Sequence, residues 1–187
     1  MKKTLLLSLA LLSFQSFATD KFNVETDFSS LSFATIKKQY VVEPATITGL
    51  TGSLDEQGRF AVIVPVENVD TGVSIRNERL SSLFFDASEN PVIMISGQFD
   101  LASLTKPISK MIVPAEVSFY GNKKTFNFPV IITKTDNAII VSSYTPVIVK
   151  ASDFSIPAAN LTKLAATVGG LALSDIVPVN INLVFKK

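Results

Sequence analysis

Along most of the chain apolar residues recur at every second position, the spacing that sends side chains to alternate faces of a β-strand. Val62, Val64 and Val66 share one face, with Ala61, Ile63 and Pro65 on the other. Phe126, Phe128, Val130 and Ile132 repeat the pattern, as do Val177, Val179, Ile181, Leu183 and Phe185, opposed by Asn180 and Asn182. Further strand windows lie at Lys21–Asp27, Leu31–Lys38, Thr46–Leu54, Val92–Phe99, Met111–Tyr120, Ala138–Ser143 and Thr145–Lys150. Gln57-Gly58, Gly121-Asn122 and Asp136-Asn137 between them supply residues that tolerate positive φ and so suit hairpin turns. Many short strands joined by hairpins predict an antiparallel barrel or sandwich.

One stretch departs from this pattern. From Asp70 to Pro91 the chain reads DTGVSIRNERLSSLFFDASENP, where Ile75, Leu80, Leu83 and Phe84 recur at nearly helical spacing. This predicts a short helix over Val73–Leu83, with Arg76 and Arg79 three apart on one face. Phe84 and Phe85 then point into whatever lies beneath, and Pro91 opens the next strand. A second helix is predicted within Pro157–Val168, where Leu161, Leu164, Ala165 and Val168 line one side and Gly169-Gly170 ends it. The two arginines suit either of two roles. They can anchor the helix to carboxylates or carbonyls, with Asp70, Glu78 and Asp86 at hand, or hold the polar head of a ligand at a barrel mouth. Asp153 reads as a turn or cap residue.

Several strands are apolar on both faces, notably Ile139-Ile140-Val141 and Val92–Ile95. A small antiparallel sheet with one wet side does not need that. The pattern fits a sandwich core, strands covered outside by the helices, or a barrel whose apolar lumen is partly filled. It does not choose among them.

The N-terminus predicts export. Lys2 and Lys3 precede an apolar run from Leu5 to Leu12, and Ser16-Phe17-Ala18 fits a small-x-small cleavage site. The run is too short for a membrane-spanning helix, which needs about 20 residues. Residues 1–18 thus read as a cleaved signal and 19–187 as one domain, with a periplasmic destination. The chain has 17 Lys and Arg against 16 Asp and Glu; loss of Lys2 and Lys3 leaves one negative charge in excess. Near neutrality gives no electrostatic footprint for nucleic acid or anionic membrane, and the one local basic cluster, Lys37-Lys38, is too small to supply one. There is no Cys, hence no disulfide framework and no lipid-modified cysteine, and no His. Without either, the commonest general base, metal ligand and nucleophile are missing, and no phosphate loop or nucleophile elbow appears. The residues point to binding rather than catalysis, with no catalytic, metal or cofactor site to assign.

The segment Thr71-Gly72, Arg76-Asn77, Leu80, Phe84-Phe85-Asp86 and Pro91 resembles the signature of the YceI-like family of periplasmic lipid-binding proteins. The resemblance extends along the mature chain. Phe22–Phe33 resembles the family's opening strands, and Gly49–Gly58 its glycine-ended hairpin. Tyr120-Gly121 with Lys123-Lys124-Thr125 resembles a later hairpin, Ala151–Ile156 its Asp-Phe-Gly-Ile segment, and Asp175–Phe185 its terminal strand. Asn77 stands where the family often has Asp, and Ser155 where it often has Gly. The resemblance implies an all-β fold, an extended antiparallel lipocalin-like barrel of about eight strands with one or two short helices. Such a barrel can enclose one slender ligand. It further implies a carrier or scavenger of a polyisoprenoid, such as an isoprenoid quinone, or another long apolar lipid. The candidate lining is Phe33, Val62, Val64, Phe84, Phe85, Ile93, Ile95, Val117, Phe119, Phe126 and Phe128, taking one parity per strand, with Arg76 and Arg79 for a polar head. A secreted barrel with a filled core serving a partner protein is the rival reading, and a homodimer is compatible with either.

Overall fold

The structure is a computed structural model that describes residues 21–187; the expected export signal lies outside them. Strands β1 (Lys21–Val24) to β12 (Ile176–Lys186) form one antiparallel sheet that closes on itself. Between them lie β2 (Ser30–Lys37), β3 (Val41–Ile47), β4 (Thr51–Asp55), β5 (Arg59–Pro65), β6 (Val69–Asp70) and β7 (Val92–Gln98). β8 (Ile108–Phe119), β9 (Asn122–Lys134), β10 (Ala138–Ser143) and β11 (Val147–Lys150) complete the wall. Four wall strands are interrupted: β1 runs on into β2, β3 into β4, β5 into β6 and β10 into β11. Taken as continuous, they give a closed barrel of eight strands. β12 closes it, pairing with β1 and β2 on one side (Val24↔Phe185, Leu31↔Ile181) and with β10 and β11 on the other (Val141↔Leu183, Val147↔Val179).

The interruptions keep their polar groups paired, as buried backbone must. Where β1 breaks into a 3₁₀ turn at Thr26–Phe28, the Glu25 amide donates to the Val184 carbonyl. The buried Ser29 Oγ accepts from the Val184 amide. Strand Lys21–Asp27 therefore ends at Val24, and Thr46–Leu54 divides between β3 and β4 around the fully buried Leu50.

The hairpins also differ in detail from the sequence reading. The β8–β9 turn is Tyr120-Gly121, one residue earlier than Gly121-Asn122, with φ of 50° and 69°. Asn122 instead uses its side chain, donating to the Tyr120 and Phe154 carbonyls. Gly58 sits as expected in the β4–β5 turn at φ 76°, its α-carbon so close to the Phe99 carbonyl that a Cβ would lie 1.8 Å from it. The β2–β3 turn was not anticipated; Lys38 and Gln39 both adopt left-handed φ, 52° and 66°.

Two helices cover one end of the barrel. α1 spans Ser74–Arg79 and passes directly into a π-helical turn, Leu80–Phe84, in place of the continuous helix Val73–Leu83. The wider turn, closed by the Phe85 amide on the Leu80 carbonyl at 2.9 Å, helps set the adjacent Phe84 and Phe85 against the same interior. α2 spans Ala158–Ala166, within the predicted window. No helix among the described residues is long and apolar enough to cross a membrane.

The structure decides which parity of the alternating pattern points inward. Val62, Val64 and Val66, then Phe126, Phe128, Val130 and Ile132, are buried, while Ile63, Ile112 and Ile131 face outward and stay exposed. On the doubly apolar β7 the outward Val92 and Met94 are likewise exposed, so helices laid over the wall do not account for it, and the single closed sheet excludes a sandwich.

Candidate functional site

Each long strand divides its inward residues between two environments. On β9, Val130 and Ile132 are fully buried in a packed core, whereas Phe126 and Phe128 line a cavity. On β8 the division falls between Val113 and Ala115, in the core, and Val117 and Phe119, on the cavity. On β12 it falls between Ile181 to Phe185 and Val177 and Val179. One half of the barrel is therefore filled, and the other encloses a cavity of about 310 Å³.

The cavity is lined mostly by carbon. Phe33 from β2, Phe84 and Phe85 after α1, Ile93 and Ile95 from β7, Val117 and Phe119 from β8, and Phe126 and Phe128 from β9 all face it. Arg76 and Arg79 border it as well. Val62 and Val64 do not. They are fully buried in the filled half, although they pair directly with Ile95 and Ile93 across β5 and β7. The boundary between the two halves passes between those strands, a distinction that parity alone does not make.

Aromatic rings support one another along the wall. Phe33 meets Phe85 edge-on at 6.3 Å between centroids, and Phe85 meets Phe84 at 5.2 Å and Phe119 at 6.1 Å. Phe119 also meets Phe154 at 6.2 Å, which contacts Phe126 at 6.1 Å. Edge-to-face pairs favour fixed ring positions, so this lining holds its shape around unfilled space.

The helical cover is pinned by one polar node. Asn160 of α2 is buried and donates to the Phe84 carbonyl at 3.1 Å and to Tyr120 Oη at 2.9 Å; that hydroxyl donates to the same carbonyl. β8, the π turn and α2 meet there. Below it, Asn122 ties the β8–β9 turn to Phe154, and Asp153 caps the segment Ala151–Phe154 by accepting from the Lys150 amide. Ser155 follows at φ 55°, which is the reason glycine suits that position.

A charged cluster occupies part of the lining. Glu43 of β3 pairs with Lys37 at 2.5 Å and with Arg76 at 2.9 Å. Arg76 is thus anchored to Glu43 and not to Asp70, Glu78 or Asp86. Asp70 accepts instead from the Gly72 amide and from Asn77, whose own Oδ1 accepts from Thr71. Asn77 therefore knits the entry to α1, and those hydrogen bonds hold the Asp70 carboxyl below its usual pKa. Arg79 is half-buried beside the cavity and has no ion pair or hydrogen bond among the described residues. Four cations (Lys37, Arg76, Arg79, Lys150) and two carboxylates (Glu43, Asp175) line the space, an excess of two positive charges.

Sequence reading did not find Glu43, Asn160 or Phe154 as members of the site. A lone carboxylate on a strand and a lone amide on a helix carry no pattern. The stripe Leu161, Leu164 and Val168 was visible as a helix face; it proves to border the cavity.

The chain matches the model of the YceI-like domain over residues 15–185. Among solved structures it is similar to a polyisoprenoid binding domain from Saccharophagus degradans implicated in plant cell wall breakdown. The two are 23% identical with a TM-score of 0.80, covering 88% of this chain and 97% of that one. It is similar also to Burkholderia cenocepacia BcnA, at 18% identity and a TM-score of 0.62, covering 86% and 98%. No curated protein matches it. The closed eight-stranded barrel with two short helices is the architecture of these neighbours, and the chain belongs to the YceI-like family.

Proposed function

We propose that this protein is an exported, periplasmic lipid-binding barrel that holds a polyisoprenoid or similar long apolar chain in its hollow half. The observation that carries this reading is the carbon-lined cavity itself, built beside a fully packed core in the same barrel. A chain able to fill one half tightly leaves the other open, within the size range of small-molecule sites. The likeness to a polyisoprenoid binding domain supports the choice of ligand class. Transfer of each CH₂ from water contributes about 0.8 kcal/mol, so a few isoprene units are enough for retention. Arg79, whose side chain has no ion pair or hydrogen bond among the described residues, and Arg76 are the groups available to a polar head. The predominantly apolar lining offers containment, which supports carriage or scavenging. A barrel that only presents its outer wall to a partner has no use for the cavity.

Organic extraction of the purified protein followed by mass spectrometry tests the reading. A long-chain isoprenoid or other lipid in stoichiometric amount is expected; an empty protein that also fails to take up a fluorescent polyprenol dispersed in detergent defeats it. N-terminal sequencing of the protein from a periplasmic fraction is expected to begin at or next to Thr19, and an intact Met1 on cytoplasmic material defeats the export reading.

A further inference from the structure

Exposed apolar residues gather around the mouth of the cavity, and they have no structural duty there. Val73, Ile75 and Val168 line the cavity and are also exposed, which marks where it opens. The β2–β3 hairpin stands at the same end. Its Glu43 holds Arg76 of α1, and its Lys38 amide donates at 2.9 Å to the carbonyl of Ala172, next to the cavity-lining Leu173. At the hairpin tip Tyr40 is 85% exposed, Val42 60% and Val41 40%. The left-handed φ of Lys38 and Gln39 is the backbone of a tight hairpin, so the tip is a built projection. Lys38 is exposed with no ion-pair partner among the described residues.

The outer wall is different. Its exposed apolar residues, among them Ile63 opposite Met94, Ile131 opposite Lys110, and Ile112, do not line the cavity. At the mouth, Val73, Ile75 and Val168 are at once exposed and part of the lining, and the hairpin tip adds Tyr40, Val41 and Val42 at the same end. Tyrosine beside lysine and short aliphatics is the composition that settles at a membrane–water interface.

We infer that this rim is a membrane-docking surface: the hairpin tip, with Tyr40 and Val42 as its apolar contacts and Lys38 facing lipid phosphates, seats the mouth on a bilayer so that a lipid enters the cavity without crossing water. The inference rests on the lipid-binding reading above, because a long apolar ligand resides in a bilayer and nowhere else in quantity. Lys38 adds one exposed positive charge to this apolar tip, on the side where lipid phosphates would lie.

The test uses delipidated protein and vesicles of phosphatidylcholine with or without phosphatidylglycerol, in two assays. Flotation reads docking, and transfer of a fluorescent polyprenol from vesicle to protein reads delivery. The variants are Tyr40→Ser combined with Val42→Thr, neither of which lines the cavity, and Ile112→Thr as a control on the outer wall. Wild type is expected to float, more strongly with phosphatidylglycerol. The rim variant is expected to lose about tenfold in flotation and in transfer rate, the scale of one aromatic and one aliphatic contact. Its uptake of probe dispersed in detergent is expected to stay at the wild-type level, and the wall variant to behave as wild type throughout. Wild type that never floats, a rim variant that floats equally well, or a wall variant that falls as far overturns the inference. So does a wild-type dimer in sedimentation that the rim variant abolishes, since a second copy then occupies the rim. Failure of detergent-dispersed uptake by wild type strikes the lipid-binding reading, while flotation still decides docking.

Discussion

The filled and hollow halves of the barrel are built from the same strands, yet their interiors obey different requirements. In the filled half, branched aliphatics interlock: Leu50, Leu54, Val62, Val64, Val130, Ile132 and Ile139 are almost wholly shielded. In the hollow half, phenylalanines stand edge to face among aliphatics such as Ile93, Ile95 and Val117 around the cavity. A flexible aliphatic facing a void gains by folding into it, because missing neighbours forfeit dispersion contacts. A flat ring braced by other rings cannot collapse so easily. The contrast teaches that a binding cavity here is a matter of side-chain shape as well as hydrophobicity, with one half supplying the stability that lets the other remain open.

The most damaging change should fall in the filled half. Phe185, 1% exposed, replaced by Ala is expected to lower unfolding free energy by roughly 3–5 kcal/mol. Lipid uptake per folded molecule should hardly change. Urea unfolding alongside uptake of a fluorescent polyprenol checks both, and lost uptake at full folding breaks the proposed division of labour.

Phe119→Ala supplies the counterpart. The ring contacts Phe85, Tyr120 and Phe154 but borders space that is already empty. A smaller loss, about 2 kcal/mol, is expected in urea unfolding, with a clear drop in uptake. A penalty as large as that of Phe185→Ala with unchanged uptake would mean the ring serves the core, not a ligand.

Arg79→Gln is expected to shift stability by no more than about 0.5 kcal/mol, since nothing among the described residues pairs with it. It should weaken retention of a probe with a polar head while sparing an all-hydrocarbon probe. Equal effects on both probes would remove Arg79 from head recognition.

The smallest effect concerns acid. Burial pushes the Asp153 carboxyl up, but Lys124 at 2.5 Å and the Lys150 amide outweigh it and hold the pKa below 3.8. Its stabilising contribution is therefore present above the ordinary carboxylate pKa and is lost as pH falls through the lowered folded value. Asp153→Asn should flatten that acid limb of a stability profile; an unchanged limb means the contribution lies with other carboxylates.

How far the sequence disclosed this molecule depends on what carries each feature. Period-two alternation disclosed the strands but not which parity faces inward, because strands such as Val92–Ile95 are apolar on both faces. The Asp70–Pro91 departure disclosed α1 and the Phe84-Phe85 plug. The β2–β3 turn escaped since Lys38 and Gln39 hold left-handed φ without the usual Gly or Asn, so β3 was read as starting near Thr46 instead of Val41. Membership in the cavity was legible for Phe119 and Phe126 but not separable from core for Val62 and Val64. All are inward and apolar, and only the placement of the other strands decides which of them meets a neighbour. Glu43 was invisible for another reason: its role is created by two cations distant in sequence.

Tyr120 has one further consequence. The chain has three tyrosines and no tryptophan, and Tyr40 and Tyr144 are exposed. Only the third sits where the cover meets the wall, its hydroxyl shared with Asn160 and the Phe84 carbonyl. Burial first, and then the charge of Asp86, holds its phenol above the usual tyrosine pKa. The protein thereby carries an optical gauge of its own lid. While α2 is seated, this phenol resists ionisation, and its tyrosinate absorbance emerges late in an alkaline titration. Anything that lifts the helix wets the phenol and brings that absorbance forward, so the opening of the cavity can be followed without a label.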